Sequence, residues 1–346
     1  LSDSVVDIIN DFQVQHHTVA EGDVPFLCVF SPGNERTGAD SLFVLCENAV
    51  HKYALPSHEL VWTQKVSNDA RYDTSWLSVN TSGNTVLMCW EQSMFQFDAA
   101  TGEKQEDGSH WASADTSVVH CAEVSPDGTN VALGTDSAVE VQRMDTGDPV
   151  TVFTKPSPAP VVSISWTSDK LAVSTREAVH VYAFPQAQLL MSHRGHGARF
   201  SPDGQQLALC DHNGAAVLKF RQDADTAPPL PLPHESPCIG LCWSADGRTL
   251  VTYSNWARVW CTSTGRLLHQ FPSTEVRHLN DNLCALSADS AWLCIVDSTF
   301  TVMCWEMARL KRTASQCLAE GNDLSALRPL EDRDMDNAAL TPADLW

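Results

Sequence analysis

The sequence predicts an all-β fold made by repeating one four-stranded unit, and two observations carry that expectation. The first is the stretch from Cys238 to Phe271, CIGLCWSADGRTLVTYSNWARVWCTSTGRLLHQF. Its four short runs, rich in β-branched and aromatic residues, are separated by Ser244-Ala245-Asp246-Gly247, Ser254-Asn255 and Thr264-Gly265. Short apolar runs between turn formers read as an antiparallel meander. The second observation is recurrence. Ser-Pro-Asp-Gly begins at Ser125 and Ser201, Ser-Ala-Asp-Gly at Ser244 and Ser-Ala-Asp-Ser at Ser287, at spacings of 76, 43 and 43 residues. Thr167-Ser168-Asp169-Lys170 divides the long interval, and Thr81-Ser82-Gly83-Asn84 and Ser31-Pro32-Gly33 extend the series upstream. A lone four-stranded sheet cannot cover both its faces and needs neighbours of its own kind. Seven turn signals at a period near 43 therefore predict a seven-bladed β-propeller over residues 25–315.

Taken in order, residues 1–24 form an N-terminal segment. An open ring would keep an exposed strand edge, so Phe12 to Val19 is the candidate strand that closes it. The same segment also reads as a short helix over Ser4 to Phe12, capped by Ser2 or Asp3. Blade one spans Phe26 to Gln64 and blade two Trp76 to Gln105, followed by an acidic loop around Trp111. Blade three spans Val118 to Phe153 and is joined to blade four by Lys155-Pro156-Ser157-Pro158-Ala159-Pro160. Blade five begins at Gly195-His196 and ends in Pro228-Pro229-Leu230-Pro231-Leu232-Pro233. That run has the form of a polyproline II ligand, but proline also sits without penalty on an outer strand, and the second reading is preferred. Blade six is the unit above, and blade seven spans Asn282 to Ala314. Residues 316–346 form an acidic tail with seven carboxylates against Arg328 and Arg333.

The repeats resemble the WD-repeat family. Members end a blade with a Trp-Asp pair; this chain has Trp260-Cys261, Trp305-Glu306 and Phe97-Asp98 in that place, so it is a divergent member. Gly195-His196 matches the Gly-His that opens many repeats. The resemblance implies a buried network of His, Ser/Thr, Asp and Trp across each blade. The matching positions are Asp211 with His196, Trp260, Asp297 with Trp305, and Asp136, with Tyr53, Phe97, Tyr182 and Phe220 replacing Trp elsewhere.

Composition narrows the function classes. Forty-three acidic residues against 22 basic ones give a net charge of −21, which repels phosphate backbones and favours basic protein partners. Twelve cysteines fall mostly within strands, as small apolar residues, and are expected to be free thiols in a reducing compartment. An intracellular chain, cytoplasmic or nuclear, is expected. No apolar run approaches a membrane span. The N-terminus lacks the basic residues of a secretory or transit sequence.

No nucleophile elbow, zinc-protease helix, phosphate loop or kinase signature occurs, so no catalytic residue, metal ligand or cofactor is assigned. The resemblance implies a protein-interaction scaffold that binds basic proteins within a larger complex, without direct contact to nucleic acid or membrane. The candidate partner-binding residues are Trp111, Trp256, Arg258, Leu345 and Trp346, because Trp and Arg are over-represented at binding hot spots. The alternatives are a metal-dependent propeller hydrolase and a ribonucleoprotein-associated subunit.

Overall fold

The computed structural model describes residues 16–17, 25–31, 41–46, 49–55, 57, 59–66, 75–80, 83–90, 93–105, 118–156, 159–211, 214–220, 228–254, 256–272, 284–287, 290–296 and 302–307. Every element among them is a strand. The first is β1 (His16–His17). Sheet one holds β2 (Pro25–Ser31), β3 (Ser41–Cys46), β4 (Ala49–Ala54) and β5 (Leu60–Lys65). Sheet two holds β6 (Ser75–Val79), β7 (Thr85–Trp90) and β8 (Ser93–Asp98). Sheet three holds β9 (Val119–Val124), β10 (Asn130–Thr135), β11 (Ala138–Arg143) and β12 (Pro149–Thr154). Sheet four holds β13 (Val161–Trp166), β14 (Lys170–Thr175), β15 (Ala178–Ala183) and β16 (Gln188–Arg194).

Sheet five holds β17 (Gly197–Phe200), β18 (Gln206–Asp211), β19 (Gly214–Lys219) and β20 (Leu230–Pro233). The proline-rich run is thus an outer strand. Sheet six holds β21 (Gly240–Trp243), β22 (Thr249–Tyr253), β23 (Trp256–Cys261) and β24 (Leu267–Pro272). Sheet seven combines β25 (Cys284–Leu286), β26 (Trp292–Val296) and β27 (Val302–Glu306) with β1, in the order β1-β27-β26-β25. His16 is paired with Met303 and His17 with Val302.

The first strand of each sheet packs beside the first strand of the next. The order runs β2, β6, β9, β13, β17, β21, β25 and back to β2, which closes an all-β propeller. Six of the sheets are four-stranded, and sheet two has three strands among the described residues, so the expected set of seven four-stranded blades is met in six. After β8 the chain turns at Ala99–Thr101 and returns only as a single bridge, Phe97 to Lys104.

Burial explains which strands the sequence makes apolar throughout. Second strands such as β3 and β10 are buried along nearly their whole length, because both faces meet a neighbouring sheet. Outer strands such as β5, β12 and β16 face water and leave Leu60, Val61, Val150, Val152, Leu189 and Leu190 exposed. The cores lie in the seams. Leu27, Phe43, Leu77, Val86 and Phe97 fill the seam between sheets one and two. The seam between sheets three and four is built from Phe153, Trp166, Ile164 and Tyr182, with the Phe153 and Tyr182 rings edge-on at 5.4 Å.

That seam is close enough to require a glycine. A Cβ on Gly134 would stand 2.6 Å from Cys121 Sγ and 2.7 Å from Val161 Cγ1. Gly134→Ala is expected to lower stability by about 1–3 kcal/mol, the usual range for overpacking. A urea midpoint equal to the parent's would contradict it. Nearby, Lys155 is buried and donates to Thr135 O, Asp136 O and Ala159 O, so its ammonium ties sheet three to the start of sheet four.

Among the described residues the thiols depart from expectation in one place. Cys294 and Cys304 are directly paired across β26 and β27, with Cα atoms 4.3 Å apart, and are joined as a disulfide. Side chains at such closely spaced antiparallel positions converge on one face, and this brings the two sulfurs together. Eight other cysteines among the described residues are not in disulfides.

Candidate interaction face at the turn end of the ring

Four of the recurrent signals, at Ser125, Thr167, Ser201 and Ser244, are turns between the first and second strands held by the same kind of bond. Ser125 Oγ donates to Asp127 Oδ1 at 2.6 Å, Ser201 Oγ to Asp203 Oδ1 at 2.6 Å and Ser244 Oγ to Asp246 Oδ1 at 2.7 Å. Thr167 Oγ1 does the same to Asp169 Oδ1 at 3.0 Å. In the three serine turns the following residue, Gly128, Gly204 or Gly247, occupies the left-handed region, and this explains the glycine; Lys170 in the Thr167 turn does not. At Ser290, φ is also positive, at 56°.

Contacts between turns place them on one end of the ring. A Cβ on Gly204 would meet Thr167 Cγ2 at 3.2 Å, and one on Gly247 would meet Pro202 Cδ at 3.9 Å. Ala245 N donates to Ser290 Oγ, and Ser31 Oγ to Gly83 O. Asp127, Asp169, Asp203 and Asp246 are all exposed there. The Ser125 hydroxyl and the Thr129 amide hold Asp127 below the usual carboxylate range. The Ser201 hydroxyl and the Gln205 amide do the same for Asp203, so both are ionised at neutral pH. In each case these bonds fall on Oδ1, and Oδ2 takes none of them.

A cavity of about 630 Å³ opens among three of these turns and reaches the inner strands of sheets three to five. Arg199 lies within it. Its guanidinium stands 3.6 Å from Glu123 Oε2, donates to Ile164 O at 3.4 Å and has its Cζ 5.7 Å from the centre of the Trp76 ring. One side chain from β17 therefore reaches groups on β6, β9 and β13. Burial pushes the Glu123 carboxyl up, and the charge of Arg199 opposes that shift. At the rim, Lys170 Nζ is 2.8 Å from Asp169 Oδ2. Lining groups of both signs suit a polar, hydrogen-bonding partner segment. Among the described residues, no group of three or more His, Cys, Asp or Glu side chains is placed to hold a metal ion.

Of the residues singled out from the sequence, Trp256 and Arg258 lie apart from this cavity. Trp111, Leu345 and Trp346 lie outside the described residues. Trp256 opens β23 and is half-buried. Arg258, two residues on, is buried; Nε donates to Gln270 Oε1 and Nη1 to Pro233 O, each at 3.0 Å, while Glu235 Oε1 stands 3.9 Å from Nη2. The structure thus joins Arg258 to the connection between sheets five and six. No such local signal marks Glu123 and Arg199, because they are far apart in sequence and meet only across the ring.

The buried network implied by the resemblance is most complete in sheet six. Trp260 Nε1 donates to Thr252 Oγ1 at 2.7 Å, Thr252 Oγ1 lies 2.8 Å from His234 Nε2, and His234 Nδ1 lies 3.1 Å from Ser254 Oγ. His234 was not singled out from the sequence because Pro233, rather than glycine, precedes it. Burial, then the charge of Arg258, pushes His234 down to about 3, so its ring is neutral. In sheet five, His196 Nε2 is 2.5 Å from Cys238 O. In sheet three, Asp136 Oδ1 is 2.7 Å from His120 Nε2. Asp297 and the Trp305 side chain lie outside what is described.

No family model and no curated protein matches the chain. Solved structures do match, 1558 chains in all, so the architecture is too widespread to specify a function. A chain from a crystal structure of a mitotic checkpoint complex is similar over 68% of this chain and 91% of its own, with a TM-score of 0.53 and 16% identity. At that identity the likeness is one of fold alone, that of a β-propeller.

Proposed function

We propose that this chain is a non-catalytic scaffold that binds a basic segment of another protein at the turn face of the ring, as a subunit of a larger intracellular complex. The observation that carries the reading is the set of exposed carboxylates Asp127, Asp169, Asp203 and Asp246, fixed by their own turns on the end of the ring where the cavity lined by Glu123 and Arg199 opens. Anions held in place attract Lys and Arg side chains with little further loss of conformational freedom. The net charge of −21 strengthens that attraction at a distance. Membership of a complex is supported by fold alone, since the similar solved chain comes from one. An intracellular setting rests on the eight cysteines that are not in disulfides. In this reading the three-stranded sheet is the seventh blade, β1 closes the ring, and Trp111, Trp256, Leu345 and Trp346 add contacts to the partner, while Arg258 is taken up by Gln270 and Pro233.

The test combines the changes Asp127→Asn, Asp203→Asn and Asp246→Asn, which keep each turn's acceptor oxygen and remove its charge. A Lys/Arg-rich peptide library on a surface is expected to bind the parent, to lose at least tenfold in affinity with the triple variant, and to weaken with salt. Equal binding by both proteins, with unchanged melting temperature, would overturn the assignment of this face.

A further inference from the structure

Two thiols that are not in disulfides meet at the seam between sheets five and six. Cys210, next to last in β18, and Cys238, two residues before β21, are both fully buried. Their sulfurs stand 2.9 Å apart. A disulfide places them at about 2.05 Å, so less than about 1 Å of movement separates the pair from a bond. The backbone on both sides is pinned by the same residue. His196 N donates to Cys210 O at 3.0 Å, and His196 Nε2 lies 2.5 Å from Cys238 O. Cys238 N donates to Asp211 O, and a Cβ on Gly195 would stand 2.6 Å from Cys210 O. Cys242 Sγ, on β21, instead accepts a bond from Leu286 N at 3.0 Å.

We infer that Cys210 and Cys238 are a redox couple that locks sheet five to sheet six when the chain meets a hydroperoxide. One sulfur, as its thiolate, attacks the peroxide; the O–O bond breaks, hydroxide leaves and a sulfenic acid forms. The second sulfur displaces that hydroxyl as water, and the S–S bond forms. Two thiols and one hydrogen peroxide give one disulfide and two waters, with two electrons passing from sulfur to oxygen. A dithiol reductant reverses the step. The bond adds a covalent link to a seam held by packing of Cys210, Ala215, Leu232 and Leu241 and by the hydrogen bonds of His196 and Cys238. It restricts the unfolded chain as well as the seam. Because both sulfurs are buried, the reaction waits on opening of the seam, and the lock then retains whatever conformation the ring has closed into.

The full chain is treated with hydrogen peroxide while folded, blocked with N-ethylmaleimide in denaturant and mapped as peptides without reduction. A linked peptide pair carrying Cys210 and Cys238 is expected beside the one carrying Cys294 and Cys304. Oxidised protein is expected to melt several degrees above the same sample before peroxide, and Cys210→Ser and Cys238→Ala are each expected to abolish both the linked pair and the rise. The parent's peptide map decides even if a variant does not fold. Thiols that stay free or go on to sulfinate, or a link from either cysteine to a third, would overturn the couple. A linked pair without a rise in melting temperature would overturn the lock.

Discussion

Trp260→Ala is expected to lower stability by about 3–5 kcal/mol, the range for removing a large aromatic from a core. The side chain is 3% exposed and packs with Trp243, Leu250, Leu232 and Cys238 at the seam between sheets five and six. Its loss opens a cavity and also deprives Thr252 of the indole N–H. The two contributions separate by comparison. Trp260→Phe keeps most of the ring volume and loses the donor, so it should cost about 1–2 kcal/mol. Urea unfolding with an unchanged slope gives both values. An alanine variant within 1 kcal/mol of the parent would show that the seam does not depend on this ring.

Acid is expected to destabilise the ring through His234, starting well above the range where carboxylates titrate. Its folded pKa is about 3, against 6.5 for the unfolded chain. Between those values the unfolded chain binds a proton that the folded one refuses. The stabilisation is complete above pH 6.5 and is lost as pH falls, by about 1.4 kcal/mol for each unit. His180, also lowered by burial, acts with the same sign. Glu123, whose carboxyl is raised, acts with the opposite sign above its ordinary value of 4.5. The measurement is therefore the difference between the parent and His234→Gln from pH 7 to pH 5. The glutamine variant starts less stable and should show a shallower decline. Parallel curves would mean that His234 accepts its proton in the folded state.

The parts of this fold that were legible in the sequence are the parts decided locally. Ser-x-Asp-Gly fixes a turn by bonds within five residues, so the turns at Ser125, Ser201 and Ser244 announced their sheets. The proline-rich run resolved as an outer strand because Leu230–Pro233 needs only one neighbour, β19. What escaped depends on register or on distant strands. Cys294 and Cys304 were correctly placed in strands, yet their bond requires knowing that the two residues are directly opposite. His234 reaches Thr252 from the connection between two sheets. Arg199 finds Glu123 and Trp76 only because four inner strands converge, and no spacing within one strand encodes that.

The pairing of β1 with β27 has a consequence for the order of assembly. Residues 16 and 303 are separated by nearly the whole described chain. Bringing such distant points together costs about 5 kcal/mol of loop entropy, from (3/2)RT ln n. Two paired residues cannot supply that. The packing of β2 on β25 and β26 joins nearly the same two regions of the chain over a far larger apolar surface, with Cys28, Val44, Leu293 and Ile295 in one cluster. Those sheets must meet first, and β1 then adds its strand at little further entropic loss. Such non-local closure makes for slow folding. Docking of residues 16–17 is therefore expected as a late event, following rather than nucleating the collapse of the ring.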